Sequence, residues 1–270
     1  MIAVSPDPAA AAFDRLAEEY DAAFTDSNIG RAQRSAVWTC AKEIFKPGSR
    51  ILELNCGTGE DAVHFAGEGF RITACDVSPG MIARAREKSC QMPGRERLEF
   101  HVRSTETIAD LLLSKPFEGV FSNFSGLNCV KSLKDLATTL EPMVRPGAPL
   151  LLCFSTRYCL WEIAWYLLRA DLMRSFRRCS GYHDARLGGI TIPVYYPTCR
   201  KIRECFAGGF RLVDIYGIGI TVPPSYTERW IAKHPEFLKR LVSVDNRLRR
   251  IPVLRVLGDH MLLHFERLHP

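Results

Sequence analysis

A glycine-rich turn in residues 51–61, ILELNCGTGED, has the residue types of a loop that holds a nucleotide-like ligand. An apolar stretch over residues 50–54 leads into it, and the pattern Gly57-x-Gly59-x-x-Ala62 opens a predicted helix. In dinucleotide-binding proteins this spacing brings a pyrophosphate to the helix N-terminus, where backbone N–H groups attract it. The glycine spacing alone is a weak indicator, so the surrounding charges decide which ligand is expected.

Three carboxylates surround this loop: Glu53 precedes it, and Glu60 and Asp61 stand at the predicted helix N-terminus. At an effective dielectric constant of about 20, a carboxylate about 4 Å from a phosphate charge repels it by roughly 4 kcal/mol. The loop therefore disfavours a dinucleotide. It favours a ligand without phosphate that bears an ammonium and a sulfonium group.

A fourth carboxylate, Asp76, ends the next predicted strand, seventeen positions after Gly59. A carboxylate at this place can accept hydrogen bonds from both hydroxyls of a ribose. Both NAD and S-adenosylmethionine need such an acceptor, so Asp76 does not distinguish them. A role as the cap of the following helix is the alternative.

Several longer motifs resemble the class I S-adenosylmethionine-dependent methyltransferases. ILELNCGTGED and ITACDVSPGMIARARE are similar to the first motif and the following acidic strand of that family, and FEGVFSNFSGLNCV and MVRPGAPLLLCF to its fourth and fifth strands. The leading FDRLAEEYDAAF resembles the opening helix of the small-molecule branch, which includes ubiquinone and menaquinone methyltransferases. The resemblance covers about residues 10–155 and the final strands, and it implies the cofactor and the fold but not the methyl acceptor.

The resemblance implies roles for residues around the methionine end of the cofactor. Gly57 and Gly59 would let the backbone approach the methionine portion, and Glu53 would orient the loop or contact the amino group through water. Tyr20 would close over this end, and Arg34 would reach its carboxylate. Packing without ligand contact is the alternative for Tyr20.

The resemblance also implies contacts to the ribose, the adenine and the methyl group. Asp76 would bind the ribose, while Val77 and Met81 would pack against the adenine, with a core role as the alternative for Met81. Where the family often has an acidic residue for the adenine amino group, this chain has Ser104 followed by Thr105 and Glu106, and the choice among them stays open. Two asparagines complete the expected set: Asn55 in the glycine loop, where a small residue is common, and Asn123 after the fourth strand, near the methyl group.

Methyl transfer from a sulfonium needs alignment of the nucleophile with the C–S axis, and positioning of this kind lowers a barrier by roughly 7–11 kcal/mol. A general base helps when the acceptor is a hydroxyl or an acidic carbon. The candidates are His183 and Tyr195, with Tyr182 and Tyr196 nearby in the sequence. A surface role for His183 and a packing role for Tyr195 are the alternatives.

The elements that would position these residues alternate along the chain. Strands predicted near residues 50–54, 70–76, 98–102, 118–123 and 150–155 are separated by helical segments, which indicates a doubly wound parallel sheet. Among the predicted helices, one covers 8–24, a short one covers 107–113, and a long one that carries Trp161 ends near residue 179. Two further strands, 210–221 and 260–267, predict an α/β, Rossmann-like, seven-stranded and mostly parallel sheet with inserted cap segments. We expect a cofactor-binding core over 1–155, an inserted cap that recognises the acceptor over 156–197, and the rest of the core over 198–270 with a second helical insertion at 223–257.

Composition limits the partners. The net charge of +6 is too small for a dedicated nucleic-acid binder. Arginine-rich stretches at 169–178 and 247–255 leave a solvated helix face, an anionic substrate or peripheral membrane contact as alternatives. Ten scattered cysteines without zinc-ligand spacing predict no metal site and suit the cytoplasm, and the first residues do not resemble a signal peptide. No segment predicts a membrane span, and nothing predicts the oligomeric state.

The aromatic and aliphatic content of the expected cap, including Trp161, Trp165 and Tyr166, predicts a small hydrophobic acceptor such as a natural-product, quinone or lipid intermediate. The sequence thus favours a methyltransferase that uses S-adenosyl-L-methionine. A non-methylating protein that binds the same cofactor is the main alternative, and an NAD-linked oxidoreductase is a weaker one.

Overall fold

The computed structural model describes residues 7–111 and 115–269. The strands are β1 Arg50–Leu54, β2 Arg71–Asp76, β3 Leu98–Val102, β4 Gly119–Ser122, β5 Pro149–Ser155, β6 Tyr182–Leu187, β7 Ile190–Tyr195, β8 Phe210–Ile218 and β9 His260–Arg267. Seven of them form one sheet in the order β3-β2-β1-β4-β5-β9-β8, and β6 pairs with β7 in a separate hairpin. The strands β1 to β5 are parallel, whereas β9 runs antiparallel to both β5 and β8. The predicted seven-stranded, mostly parallel α/β fold is confirmed.

Helices cover both faces of the sheet. They are α1 Pro8–Leu16, α2 Asn28–Ile44, α3 Glu60–Gly67, α4 Pro79–Ser89, α5 Leu133–Met143, α6 Leu160–Leu167, α7 Leu172–Ser175, α8 Cys199–Phe206, α9 Glu228–Ile231 and α10 Pro235–Leu248. One core cluster gathers side chains of α2, α3 and α4 around Phe121, a second gathers those of α5 and α8 around Phe265, and a small third one joins Ile29 of α2 to Ile231 of α9. Central parallel strands are buried on both faces and therefore read as continuous apolar runs, as β4 and β5 do here.

Helix starts follow the capping residues of the sequence. The Ser78 hydroxyl accepts the Met81 N–H at 3.0 Å, and Pro79 takes the first helical position of α4. Ser27 caps α2 in the same way through the Gly30 N–H. The Ser78 cap fixes where the chain turns back after β2.

Three predicted helices differ from the structure. The helix predicted over 8–24 ends at Leu16 and is followed by a π-helical turn, Asp21–Thr25. The long helix predicted to end near residue 179 divides into α6 and α7, because Ala170 adopts a φ of +56° and Asp171 caps a new helix start. The helix predicted over 107–113 is a single 3₁₀ turn, Ile108–Asp110. The last two positions of the predicted range, 112 and 113, lie outside the described part of the chain.

Residues 156–197 lie outside the seven-stranded sheet as α6, α7 and the β6–β7 hairpin. The Trp161 indole N–H donates to the Thr221 carbonyl at 2.8 Å, which holds α6 against the chain that follows β8. The hairpin tip rests on α1, where the Arg15 guanidinium donates to the Gly188 carbonyl at 3.0 Å. In residues 7–111 and 115–269, no helix is both long and apolar enough to cross a membrane.

Candidate functional site

A pocket opens at the carboxyl edge of the parallel strands, where ligands bind in open α/β sheets. Its floor comes from the loops that follow β1, β2, β3 and β4. Its roof comes from α1 through Phe13, from Tyr20, and from the hairpin through Leu187 and Val194. Most of the residues predicted to bind the cofactor line it: Tyr20, Arg34, Asn55, Gly57, Asp76, Val77, Met81, Ser104, Thr105 and Asn123.

The two glycines of the loop have different surroundings. Gly57 has a φ of +54°, lines the pocket, and would have open space around a Cβ atom. Gly59 has a φ of +75° and does not line the pocket, and a Cβ there would lie 2.7 Å from the Ala85 Cβ and 3.1 Å from the Phe100 ring. The Gly57 backbone is therefore exposed to a ligand, whereas Gly59 lets α3 begin close to α4.

Asp76 joins the end of β2 to the glycine loop. One carboxylate oxygen accepts the Gly57 N–H at 2.9 Å, and the other accepts the Ser78 N–H at 2.9 Å. Ser78, not Asp76, caps α4, so the alternative role foreseen for Asp76 belongs to its neighbour. Burial raises the pKa of Asp76, against the backbone N–H groups that favour its ionised form. Each oxygen retains a lone pair, which matches the needs of a ribose diol.

Glu53 is buried and does not line the pocket. Its Oε2 atom has no hydrogen-bond partner among the described residues. Burial raises the pKa of Glu53 well above its usual value, and the negative charge of Asp61 acts in the same direction against Arg34. A carboxyl group left without a partner beneath the loop fits a ligand that brings a cationic amino group to this side of the pocket.

Asp61 is the centre of a buried polar cluster. It accepts hydrogen bonds from the Arg34 guanidinium at 2.5 Å, from the Trp38 indole at 2.6 Å and from the Asn123 amide at 3.2 Å. The Arg34 guanidinium also lies 4.8 Å from the centre of the Phe124 ring. Arg34 thus stands at the pocket wall with its charge already paired.

Two of the three loop carboxylates, Asp61 and Glu60, are paired with cationic side chains. Arg34 neutralises Asp61, and the Lys88 ammonium lies 2.9 Å from Glu60. The loop carboxylates therefore repel a phosphate less strongly than three free charges would. The unpaired, buried Glu53 is the remaining acidic feature that distinguishes the loop from a phosphate site.

The residues expected to contact the adenine line the same pocket. Val77 and Met81 follow β2, and Ser104, Thr105 and Glu106 follow β3 on the facing wall of the same pocket. The Thr105 hydroxyl donates to the Glu106 carboxylate at 3.1 Å. All three candidates for the adenine amino group line the pocket, so the choice among them stays open.

His183 and Tyr195, the predicted bases, do not line the pocket. His183 pairs with Val194 across the hairpin, and Tyr195 pairs with Tyr182, with ring centres 5.6 Å apart. The hairpin contributes the apolar side chains of Leu187 and Val194 to the pocket instead. The tyrosines were singled out by residue type, but the hairpin register determines which side chains reach the pocket.

Ser125, in the loop after β4, lines the pocket and was not foreseen. Its hydroxyl oxygen lies 3.1 Å from His260 Nε2, and His260 is the first residue of β9. The register pairs His260 with Ser155, the last residue of β5. The signal that could have indicated His260 is the direction of the last strand. Because β9 is antiparallel to β5, its first residue lies at the carboxyl edge of the parallel strands.

Neither tryptophan of α6 nor Tyr166 lines the pocket, and the Arg169 guanidinium stacks 3.4 Å from the centre of the Trp165 ring. Over residues 7–111 and 115–269, no group of three or more His, Cys, Asp or Glu side chains is arranged to hold a metal ion.

Comparison with known proteins agrees with this architecture. The family described as "Methyltransferase domain" matches residues 51–147. A demethylmenaquinone methyltransferase of Mycobacterium marinum is 33% identical over 192 residues, which are 67% of this chain and 74% of that protein. A demethylmenaquinone methyltransferase of Clavibacter sepedonicus is 31% identical over 153 residues, which are 56% of this chain and 60% of that protein.

The chain therefore spans less than two thirds of the length of some relatives that it matches. Among solved structures, the CcbJ methyltransferase of Streptomyces caelestis has a similar fold, with a TM-score of 0.63 at 14% identity over 97% of this chain and all of that one. The motif spacing, the sheet order and these similarities lead to one conclusion: this chain belongs to the class I S-adenosylmethionine-dependent methyltransferases.

Proposed function

We propose that this protein transfers the methyl group of S-adenosylmethionine to a small hydrophobic acceptor by in-line displacement. One observation carries the proposal. A single pocket has a polar part around Gly57 and Asp76 and an apolar part formed by Phe13, Val130 and Val194. A bound cofactor and an apolar acceptor would thus share one cavity, which is the arrangement that alignment requires.

Bound in this pocket, S-adenosylmethionine would supply an activated methyl carbon. Asp76 would hold the ribose hydroxyls, Val77 and Met81 would contact the adenine, and the Gly57 backbone would lie along the methionine part. Glu53 would face its amino group through the loop. Burial raises the pKa of Tyr20 to about 12, so its phenol stays neutral and can donate a hydrogen bond to the cofactor carboxylate.

The roof would exclude water from the reacting groups. The helix α1 and the hairpin meet above the pocket, and their contributions, Phe13, Leu187 and Val194, are apolar. Low local polarity strengthens the interaction between a developing negative acceptor and a cationic donor. His183 and Tyr195 are better suited to holding the hairpin than to proton transfer.

The acceptor that we propose is a lipophilic aromatic or prenylated compound that carries an acidic hydroxyl or carbon. The apolar roof supports this choice, as does the similarity to the demethylmenaquinone methyltransferases of Clavibacter sepedonicus and Mycobacterium marinum. The ten free thiols support a reducing compartment such as the cytoplasm.

The cap has an apolar tip that suits the surface of a membrane, where such an acceptor would be dissolved. Its side chains are Leu168, Leu172 and Met173, which are 85%, 64% and 86% exposed. Arg169 and Arg174 are next to side chains of this cap tip in the sequence. Apolar side chains with flanking arginines favour an anionic bilayer as the partner.

A binding experiment and a transfer experiment test the proposal. Calorimetry is expected to detect S-adenosylhomocysteine binding and no NADH binding. Asp76→Ala should weaken binding by about 1.5–3 kcal/mol, roughly 10–150-fold, because it removes hydrogen bonds to a charged group. Glu236→Ala, which removes a carboxylate that is 76% exposed on α10, is the control and should leave the affinity unchanged.

Transfer of labelled methyl groups to a panel of naphthols, quinols and amines completes the test. Binding of NADH without binding of S-adenosylhomocysteine would overturn the cofactor assignment. Cofactor binding without transfer to any acceptor would favour the non-methylating alternative.

A further inference from the structure

Ser125 and His260 form a hydrogen-bonded pair at the inner end of the pocket. Ser125 lines the pocket, and its hydroxyl oxygen is 3.1 Å from His260 Nε2 and 2.5 Å from the Ser155 hydroxyl oxygen. His260 itself is buried behind Ser125. The only one of the two side chains that a ligand in the pocket can touch is therefore Ser125, with the imidazole directly behind it.

The loop that presents Ser125 is held in an uncommon conformation. Phe124 and Ser125 have φ values of +42° and +66°, which non-glycine residues adopt rarely. The Asn123 side chain accepts the Phe124 N–H at 2.9 Å, and the Asn128 side chain accepts the Ser155 N–H at 2.9 Å. Strained backbone that neighbouring side chains enforce is often found where a side chain must be aimed.

A carboxylate stands on the other side of the imidazole. Asp259 Oδ2 lies 3.6 Å from His260 Nδ1, and this nitrogen has no hydrogen-bond partner in the described part of the chain. Asp259 is fixed by the Arg178 guanidinium at 3.0 Å and the Gln33 amide at 3.4 Å. Catalytic hydrogen bonds are often long before the ligand is bound, so a separation of 3.6 Å allows Nδ1–H to point at Asp259.

Burial favours the neutral form of His260, whose Nε2 atom can then accept a proton. Burial lowers the pKa of His260, against the attraction of Asp259, and Arg178 lowers it further. Burial alone would raise the pKa of Asp259, but His260 and Arg178 hold it below its usual value. Arg178 is also paired with Glu162 at 2.8 Å, and Arg34 and Asp61 are paired with each other on the far side of the Phe124 ring.

We propose that Ser125 takes the proton from a hydroxyl of the methyl acceptor while it passes its own proton to His260 Nε2. The acceptor O–H bond breaks as an O–H bond forms at Ser125, and the Ser125 O–H bond breaks as an N–H bond forms at His260. The electron pair released on the acceptor, at oxygen or through conjugation at a neighbouring carbon, attacks the methyl carbon. The C–S bond then breaks with its electron pair moving to sulfur, which becomes a neutral thioether.

This inference rests on the proposed methyl transfer. Ser125 is the catalytic residue in it, because it faces the acceptor, and His260 and Asp259 are positioning residues that act through it. A merely structural reading of the same contacts holds that they fix the β4 loop to β9. The two readings differ in what acidity and acceptor chemistry do to the rate.

The experiment compares His260→Gln and Ser125→Ala with wild-type protein on two naphthols. One is unsubstituted, and the other carries a nitro group and is already ionised at the assay pH. His260→Gln should lower kcat/KM on the unsubstituted naphthol by about 100-fold or more, and by less than about fivefold on the ionised one. The acidic limb of the kcat/KM pH profile should disappear, while affinity for S-adenosylhomocysteine stays within about twofold. His264→Gln on the same strand is the control and should change neither rate.

A second measurement needs no acceptor. Nitrogen NMR of the histidines in the complex with S-adenosylhomocysteine should find His260 neutral with the proton on Nδ1, and Ser125→Ala should shift its Nε2 resonance. Equal rate losses on both naphthols, or a proton on Nε2, would overturn the relay. If wild-type protein methylates neither naphthol, the proposed acceptor class fails, and the tautomer of His260 still decides the relay.

Discussion

Glu53 is the residue whose burial makes least sense without a ligand. Glu53 is 2% exposed, and its Oε2 atom lacks a hydrogen-bond partner within residues 7–111 and 115–269. A buried ionisable group in this condition opposes folding unless something compensates its charge. We therefore expect the Glu53 carboxylate to lower the stability of the ligand-free protein and to raise its affinity for a cationic ligand.

Glu53→Gln should raise the free energy of unfolding of the ligand-free protein by about 1 kcal/mol or more at pH 7–8, since no charge is then buried. The pKa of Glu53 is raised above 4.5 in the folded state, so wild-type protein loses stability as the pH rises from that value toward the folded-state pKa. The difference in the free energy of unfolding between Glu53→Gln and wild-type protein should therefore become smaller as the pH falls toward 4.5. Denaturant titrations across this pH range measure it.

The same substitution should weaken S-adenosylmethionine binding by about tenfold or more, which calorimetry can measure. Glu99→Gln is the matched control, because that side chain is 69% exposed on β3, and neither property should change. A Glu53→Gln protein that is less stable than wild type at every pH would refute the argument.

At the scale of elements, the roof depends on a contact between the hairpin tip and α1. A Cβ atom on Gly188 would lie 2.9 Å from the Ala12 carbonyl oxygen and 3.0 Å from the Arg15 Cβ, whereas one on Gly189 would meet only the end of the Arg15 side chain at 3.5 Å. Both glycines have positive φ, +54° and +78°. Alanine substitutions at the two glycines therefore distinguish the effect of backbone strain from the effect of losing the contact with α1.

Gly188→Ala and Gly189→Ala should each pay a strain of roughly 1–2 kcal/mol, but only Gly188→Ala should also lift the hairpin from α1. We expect amide hydrogen exchange over residues 8–16 and 182–195 to be about tenfold faster in Gly188→Ala than in Gly189→Ala. The affinity for S-adenosylhomocysteine should fall in parallel. Identical exchange in the two variants would mean that the roof does not depend on this contact.

How far the sequence could predict these elements depended on the range of the interactions. The start of α4 was predictable because Ser78 and Pro79 act within one turn, and the five parallel strands because they are apolar and follow one another. The break between α6 and α7 was not, since nothing in an alanine at position 170 indicates a positive φ. His260 was missed as a site residue because its proximity to Ser125 depends on β9 running antiparallel between two strands distant in sequence.

The residues of the expected cofactor site were largely gathered into one pocket because they follow consecutive parallel strands, whose carboxyl ends share an edge. The partners of their charges were not predictable. Arg34 and Asp61 are 27 positions apart on different helices, and only the packed structure brings them to 2.5 Å. Of the two bases expected in the hairpin, Tyr195 takes the face opposite to Val194, whereas His183 shares the face of Val194 and still does not line the pocket.

At the scale of the whole molecule, the cap tip presents apolar side chains away from the sheet and next to arginines. Burying two large apolar side chains in a bilayer is worth roughly 1.5–3 kcal/mol each, and nearby arginines add attraction to anionic lipids. The protein should therefore sediment with vesicles of mixed neutral and anionic phospholipid, less so at high ionic strength. The double variant Leu168→Ser, Met173→Ser should reduce this binding by at least about tenfold.

Val253→Ser is the matched control, because this apolar residue is 67% exposed in the other insertion and should not affect sedimentation. Unchanged binding by the double variant would exclude the cap tip as the membrane contact. Absence of binding by wild-type protein would exclude peripheral membrane contact under these conditions.

The position of β9 has a consequence for how the protein is made. This strand lies between β5 and β8, although it follows both in the sequence. Once β8 has been synthesised, β5 and β8 therefore each have an unpaired edge until β9 inserts between them. The late insertion of a central strand closes long sequence separations and is slow, so this interval is when the chain is most exposed to aggregation. Because His260 is the first residue of β9, formation of the Ser125–His260 hydrogen bond would indicate that β9, the slowest strand of the sheet to pair, is in place.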